Sequence, residues 1–416
     1  MKTHEIGLVL GAEDDWPRAF EALAARLGPF EWRGERHELS VNRVTYEPFD
    51  LRSRARYSLV LDRVGWWYLL PREWLKKVAL MDDVYLLNNP FTFQAMEKHS
   101  AYCAMIRLGL KVPETWLIPH KQPPANERFP TTSERYNLPF DLTEVGGRVG
   151  FPLFMKPFDG GQWRGVTRAR DAEELQRVYD ASGEQLMHVQ RAVEGFDVFA
   201  RSLSIGAETM VMFFDPDRPI HDRYHVRHDF LTPKQGDEVV TISKVVNAFF
   251  RWEFNSCESL VQGDEVSPID YANASPDVAL TSLHYYFPWA MTALLRWCAF
   301  CVAQDRKMRI DVDTRPWFAV GDRDDLTYDE KLLEYRRLAD EHFEAEAYAE
   351  FAAGPMAHVD EAAHEWFTSP DFDTVLVETV RTTFPAHEHE QFVAHYRGLL
   401  RSWAEDFASR SRSPAG

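Results

Sequence analysis

The 416-residue chain carries 65 acidic against 47 basic side chains, a formal net charge of -18 at pH 7, with 45% hydrophobic and 27% charged residues. At roughly 150 residues per domain this length predicts two or three domains with sizeable cores, and the composition excludes a disordered or fibrous chain. The acidic balance opposes non-specific capture by nucleic acid or by an anionic membrane surface, since both attract clustered Lys and Arg.

Met1 to Leu10 is too short and too mixed for a secretion signal, and no later run approaches the ~20 apolar residues that span a bilayer. The expectation is a cytoplasmic protein without membrane or nucleic-acid partners. The four cysteines suggest no disulfide framework. Cys298 and Cys301 have CxxC spacing but fall in the apolar run Phe287 to Val302, which predicts buried helix packing.

Along the chain, Ile6 to Leu10 reads as a strand and Trp16 to Leu27 as an amphipathic helix. A second unit follows, with strands at Tyr57 to Leu61 and Val84 to Leu87 around a helix from Pro71 to Met81. Strands alternating with helices predict a mostly parallel sheet. Phe93 to Leu108 has helical spacing and Gly109 supplies its stop, whereas His120 to Pro139 has the composition of a long loop. Further strands are predicted at Phe151 to Met155, Leu186 to Gln190, Val198 to Ile205 and Thr209 to Phe214, with a helix at Asp171 to Asp180. Beyond Leu283 the patterns are helical: Trp289 to Val302, Tyr328 to Phe351 and Gln391 to Phe407.

Phe249 to Val261 and Val266 to Tyr271 flank the turn signal Gln262-Gly-Asp-Glu265 and predict a β-hairpin. With Gly263, Asp264 and Glu265 as the loop, Gln262 pairs with Val266, Leu260 with Pro268 and Glu258 with Asp270. Like charges directly opposed repel, so a cation should bridge them. Two carboxylates supplemented by phosphate oxygens are a usual protein share of a magnesium site, and Asn273 can add an amide oxygen. Glu253 and Asn255 form a rival pair on one strand face.

Lys156 closes an apolar strand just before Gly160-Gly161-Gln-Trp-Arg-Gly165, and a lysine beside a glycine loop can meet phosphates with its ammonium and backbone N–H groups. Neither GxxxxGK[ST] nor GxGxxG is present. His221, His225 and His228 would align on a helix as zinc ligands, but the region reads as extended. His387 and His389 read as a solvated helix cap.

In order, Asn88-Asn89-Pro90 with Lys98, Gly150-Phe-Pro-Leu-Phe-Met-Lys156, Val189-Gln-Arg-Ala-Val-Glu-Gly-Phe-Asp197, and Glu258 with Asp270-Tyr-Ala-Asn273 resemble the ATP-grasp superfamily of carboxylate-amine ligases, over roughly Asn88 to Asp277. The resemblance implies an α/β (α+β) ATP-grasp fold: an N-terminal α/β domain over 1–90, a two-lobed ATP-grasp domain over 91–280, and a helical region over 281–416. By the same resemblance Lys98 and Lys156 would hold ATP phosphates under a loop containing Gly160 and Gly161. Gln190, Arg191 and Val193 would meet adenine and Asp197 the ribose, while Glu258, Asp270 and Asn273 would bind Mg2+. The family pattern usually ends Glu-x-Asn, and here it is Asp-x-x-Asn. An arginine just before the first metal ligand, common among relatives, has no counterpart nearer than Arg251.

The implied reaction turns a substrate carboxylate into an acyl phosphate that an amine then captures. Arg201, Arg223 and Lys244 are candidates to grip the carboxylate, with small-molecule or peptide carboxylates and amines as partners. A small-molecule kinase and a nucleotide-responsive scaffold are the competing readings. The helical region is left to shape the acceptor pocket, to pack, or to form a homodimer.

Overall fold

The computed structural model describes residues 1–45, 48–96, 98–123, 125–126, 128–136, 139–159 and 164–412. The chain opens with β1 (Lys2–Val9), α1 (Asp15–Leu27), β2 (Phe30–Trp32), β3 (Glu35–Arg43), β4 (Leu59–Asp62), α2 (Leu69–Met81) and β5 (Tyr85–Leu87). These strands form a sheet in the order β2-β3-β1-β4-β5, parallel except for the β2–β3 pair. The inner strand β4 is buried along its whole length, as expected of a strand covered on both faces.

Next come a 3-10 turn over Pro90–Met96, α3 (Lys98–Arg107), β6 (Thr115–Ile118), α4 (Phe129–Tyr136), α5 (Leu142–Val149), β7 (Leu153–Pro157), β8 (Thr167–Ala169), α6 (Ala172–Ala181) and β9 (Met187–Arg191). The predicted helix from Phe93 thus begins only at Lys98, and the predicted loop after His120 contains α4. Strands β6-β9-β7-β8 make an antiparallel sheet. Alternate residues Leu153 and Met155 of β7 and Met187 and Val189 of β9 enter a small core with Val145, Val149 and Leu175. The period of two turns Lys156, His188 and Gln190 to the opposite face.

The second lobe is β10 (Val198–Ile205), β11 (Glu208–Phe214), β12 (Tyr224–His225), α7 (Pro233–Phe250), β13 (Phe254–Gln262) and β14 (Glu265–Ala274), in the sheet order β12-β11-β10-β13-β14. Helix α7 starts with a capping box between Thr232 and Gln235 and has Pro233 in its first turn. It takes Phe249 and Phe250 out of the predicted strand. It covers one face of the sheet, where Ser243 meets Ser202 at 2.6 Å and Asn247 meets Asn255 at 2.8 Å.

The remainder is helical: α8 (Leu280–Leu283), α9 (Phe287–Ala303), α10 (Arg315–Gly321), α11 (Tyr328–His342), α12 (Ala345–Ala353), α13 (Val359–Phe367), α14 (Pro370–Thr383) and α15 (His389–Arg412). The predicted helix Tyr328 to Phe351 breaks where Glu344 turns left-handed, at φ 50°. One core joins Phe20 of α1, Phe254 of β13, Trp297 of α9, Tyr335 of α11 and Trp403 of α15, separate from the core of the β6–β9 sheet. Among the described residues one helical run, Leu280–Ala303, is long and apolar enough to cross a membrane, and 89% of its apolar window is buried inside the fold. Cys298 and Cys301 lie buried within it.

Candidate nucleotide-binding cleft

The hairpin loop is one residue shorter than predicted. Gln262 pairs with Glu265, so Val266 faces Val261 and Pro268 faces Ser259. Ile269 is then an extra residue that shifts the ladder, and Glu258 faces Asp270 as expected. Such a β-bulge re-aims the side chains that follow it. A continuous ladder would have sent Asp270 to the α7 face.

The two carboxylates lie in a cleft of about 450 Å3 between the two lobes, with Lys98, Lys156, Arg201, Arg223, Ser256 and Asn273 also on its walls. Lys98, at the start of α3, forms an ion pair with Asp270. Lys156 crosses to Gln190, its Nζ donating to Oε1 at 2.6 Å. Arg201 pairs with Glu258 across β10 and β13 at 3.4 Å, and its guanidinium lies 5.1 Å from the Phe214 ring centre. Asn273 donates its side-chain amide to Ser256 at 2.7 Å and its backbone N–H to Asn255 at 2.9 Å. Its amide oxygen is not used in these contacts.

Burial and neighbouring charge together set the protonation of these groups. Burial pushes the Glu258 carboxyl up, opposed by Arg201 and reinforced by Asp270. Burial works in the same direction on Asp270, but Lys98, with help from Lys156, holds it below the usual carboxylate range. Burial brings Lys156 down to about 8, against the pull of Asp270. The cleft has six basic side chains against four carboxylates on its walls, a local positive excess in a chain of net charge -18. Such a focus attracts phosphates that the rest of the surface repels.

Not every expected residue lines this cleft. Gln190 stands behind Lys156 and donates to Thr115 at 2.8 Å. Arg191 turns to the Val149 carbonyl at 2.6 Å, and Asp197 accepts the Gly263 N–H at 2.9 Å, bracing the hairpin turn. Val193 packs on the apolar group Phe199, Phe214, Leu260 and Ile269. Gly160 and Gly161 fall outside the described residues. Lys244 is bound to Asp340 at 2.7 Å on α11, so it cannot grip a substrate in the cleft. Glu253 is bound by Tyr85 and, at 2.8 Å, by Trp297, and Asn255 lies under α7; neither joins the carboxylate pair. The three histidines disperse: His225 faces Asp215 at 3.9 Å, His228 faces Asp406 at 3.7 Å, and His221 packs edge-on against Phe392.

Sequence reasoning missed Arg63, Trp66 and Trp67, which follow β4 and line the cleft. Arg63 reaches Glu13 at 3.1 Å and the Ser275 carbonyl, tying the N-terminal sheet to the end of β14. The Trp66-Trp67 doublet after a strand was the available signal. It also missed that Arg201 is the arginine beside the first carboxylate, because the two are neighbours only across strands.

No protein-family model matches the chain, and no curated protein matches its sequence. Among solved structures, a RimK-domain ATP-grasp protein from Sphaerobacter thermophilus superposes with a TM-score of 0.47 at 13% identity, over 70% of this chain and 97% of that one. D-alanine–D-alanine ligase from Bacillus anthracis, complexed with ATP, gives 0.48 at 12% identity over 74% and 100%. D-alanyl-alanine synthetase A from Vibrio cholerae gives 0.48 at 12% over 73% and 98%. The chain is similar to these proteins, and its α/β architecture with a charged cleft between two sheets stands on the strands and side chains described above.

Proposed function

We propose that the chain is a cytoplasmic, ATP-dependent carboxylate-amine ligase of the ATP-grasp kind, which activates a small-molecule or peptide carboxylate as an acyl phosphate and joins it to an amine. The observation that carries this reading is the meeting of Lys98 and Lys156 with Glu258 and Asp270 in one cleft. Among the described residues no three His, Cys, Asp or Glu side chains converge on a ready cation cage. Two carboxylates and the Asn273 oxygen instead fit a magnesium ion that takes its remaining ligands from phosphate and water. Held there, the ion would neutralise phosphoryl oxygens.

The chain's own residues supply the rest. Lys98 and Lys156, both on the cleft walls, offer ammonium donors to phosphate oxygens. Arg201, beside Glu258, is placed to hold negative charge that develops at the reacting carboxylate. Arg223, at the cleft wall with its Nε bound to the Arg218 carbonyl at 2.9 Å, is assigned to the substrate carboxylate. The apolar group around Val193 and Phe214 offers a surface for adenine.

Incubation with ATP, magnesium and hydroxylamine across a panel of amino acids and short peptides should release ADP and give an acyl hydroxamate with at least one carboxylate. A phosphorylated product without hydroxamate would make the chain a kinase, and absence of nucleotide turnover would leave the scaffold reading.

A further inference from the structure

A second cavity, of about 370 Å3, lies at the start of β13, walled by β5, the turn from α7, the 306–313 segment and α11. Arg251 is only 8% exposed within it. Its backbone is left-handed, at φ 60°, where α7 ends. Glycine or asparagine suits that position better, so the arginine is there for its side chain. That side chain donates to the carbonyls of Ala248 and Asp311, both at 3.3 Å, and to His342 Nδ1 at 3.0 Å. All three acceptors are neutral, and Arg251 enters no ion pair among the described residues.

The carboxylates around the cavity are engaged elsewhere. Glu253 and Glu344 hold Arg306 at 3.4 and 2.7 Å, Asp313 holds Arg315 at 2.9 Å, and Glu341 faces Arg337 at 3.5 Å. Asp311, Asp313 and Glu253 attract Arg251 only from beyond ion-pair distance, and a buried guanidinium without a paired counter-charge is disfavoured.

His342 shares the deficit. Arg251 can only donate, so Nδ1 must accept and the ring proton sits on Nε2. That Nε2 is buried with no hydrogen-bond partner, and Glu253 lies 3.8 Å away, beyond hydrogen-bond reach. Burial and the neighbouring Arg251 and Arg306 keep the imidazole well below its ordinary pKa, hence neutral. Arg251, a cation with no paired carboxylate, and His342, whose Nε2–H has no acceptor, therefore share the wall of one cavity. Lys307 and Arg309 add cations to the wall, and Leu86, Met308, Pro316, Trp317 and Leu338 add apolar surface that suits a hydrocarbon body better than a bare inorganic ion. The volume is within the range of small-ligand pockets, roughly 300 to 1,000 Å3.

We infer that this cavity binds a small organic carboxylate, with Arg251 and His342 Nε2–H holding the carboxylate and Trp317 and Leu338 covering its apolar part. The site is distinct from the carboxylate cleft and does not depend on the nucleotide reading.

The test is calorimetric titration of the full chain with sodium benzoate as probe, beside phosphate and chloride at matched ionic strength. Saturable binding of one benzoate per chain is expected, weakened about tenfold or more in both Arg251→Gln and His342→Phe and unchanged in Arg223→Gln, which alters the other cleft. Absence of saturable benzoate binding overturns the inference, as does binding indifferent to both cavity substitutions or matched by phosphate and chloride. Should Arg251→Gln fail to fold, His342→Phe, which keeps an aromatic ring in place, decides the question.

Discussion

Arg201 on β10 stands directly across from Glu258 on β13, guanidinium to carboxylate at 3.4 Å, and its Nε is buried without a hydrogen-bond partner among the described residues. A buried cation with a donor to spare, beside the carboxylate pair, is poised for an anion. Arg201→Met should lower steady-state ADP release by roughly 100-fold or more, the typical loss when one preorganised donor is removed. The effect should fall on kcat more than on KM for ATP, and Arg201→Lys should recover only part of it, because an ammonium cannot reproduce the planar fork.

Lys156 gives a prediction in which activity and stability part. Its folded pKa, brought down to about 8 by burial, is below the ordinary lysine value of 10.5. Between those values the unfolded chain binds more protons, so stability should rise as pH increases from about 8 towards 10.5. Lys156→Met should abolish nucleotide binding, seen by calorimetry, yet melt no lower than the parent at pH 7 and lack this alkaline rise.

Asp62 has the opposite slope. Burial raises its carboxyl from 3.8 to about 6, although it accepts the N–H groups of Val64 at 3.0 Å and Gly65 at 2.8 Å. Here the folded chain binds the extra proton, so stability should fall as pH rises from about 4 through 6, by on the order of 3 kcal/mol. Asp62→Asn should flatten that limb in urea denaturation measured across the range.

Gly206 joins β10 to β11 at φ 54°, and an added Cβ there would lie 1.9 Å from the Trp297 ring. Both backbone strain and overlap with a rigid buried ring oppose any side chain. Gly206→Ala should lose about 3 kcal/mol or more in denaturant titrations.

Much of the cleft was legible in the sequence because its residues sit on strongly periodic elements. Lys156 ends a strand whose alternation is plain, and Glu258 and Asp270 flank an evident turn. The facing of those two was foreseen through a loop one residue too long, compensated by the bulge at Ile269, which no periodicity announces. Helix α7 was hidden because its aromatic end, Phe249 and Phe250, runs into the strand through Arg251. Arg201's pairing and the use of Lys244 by Asp340 depend on neighbours far away in sequence, where spacing carries no information. Asp197 was read by resemblance as a ribose ligand; its carboxylate is found on the hairpin turn.

The small core beneath Lys156 has a mechanical consequence. Lys98 and the carboxylates belong to the body built on the large core, whereas Lys156 rides on a four-stranded sheet packed around its own few side chains. The two bodies meet where His188 of the small sheet packs on His99 and Tyr102 of α3. A polyphosphate held by both lysines would act as a tether across that joint, so a bound nucleotide should protect the small sheet against proteolysis far more than it protects the helical end of the chain.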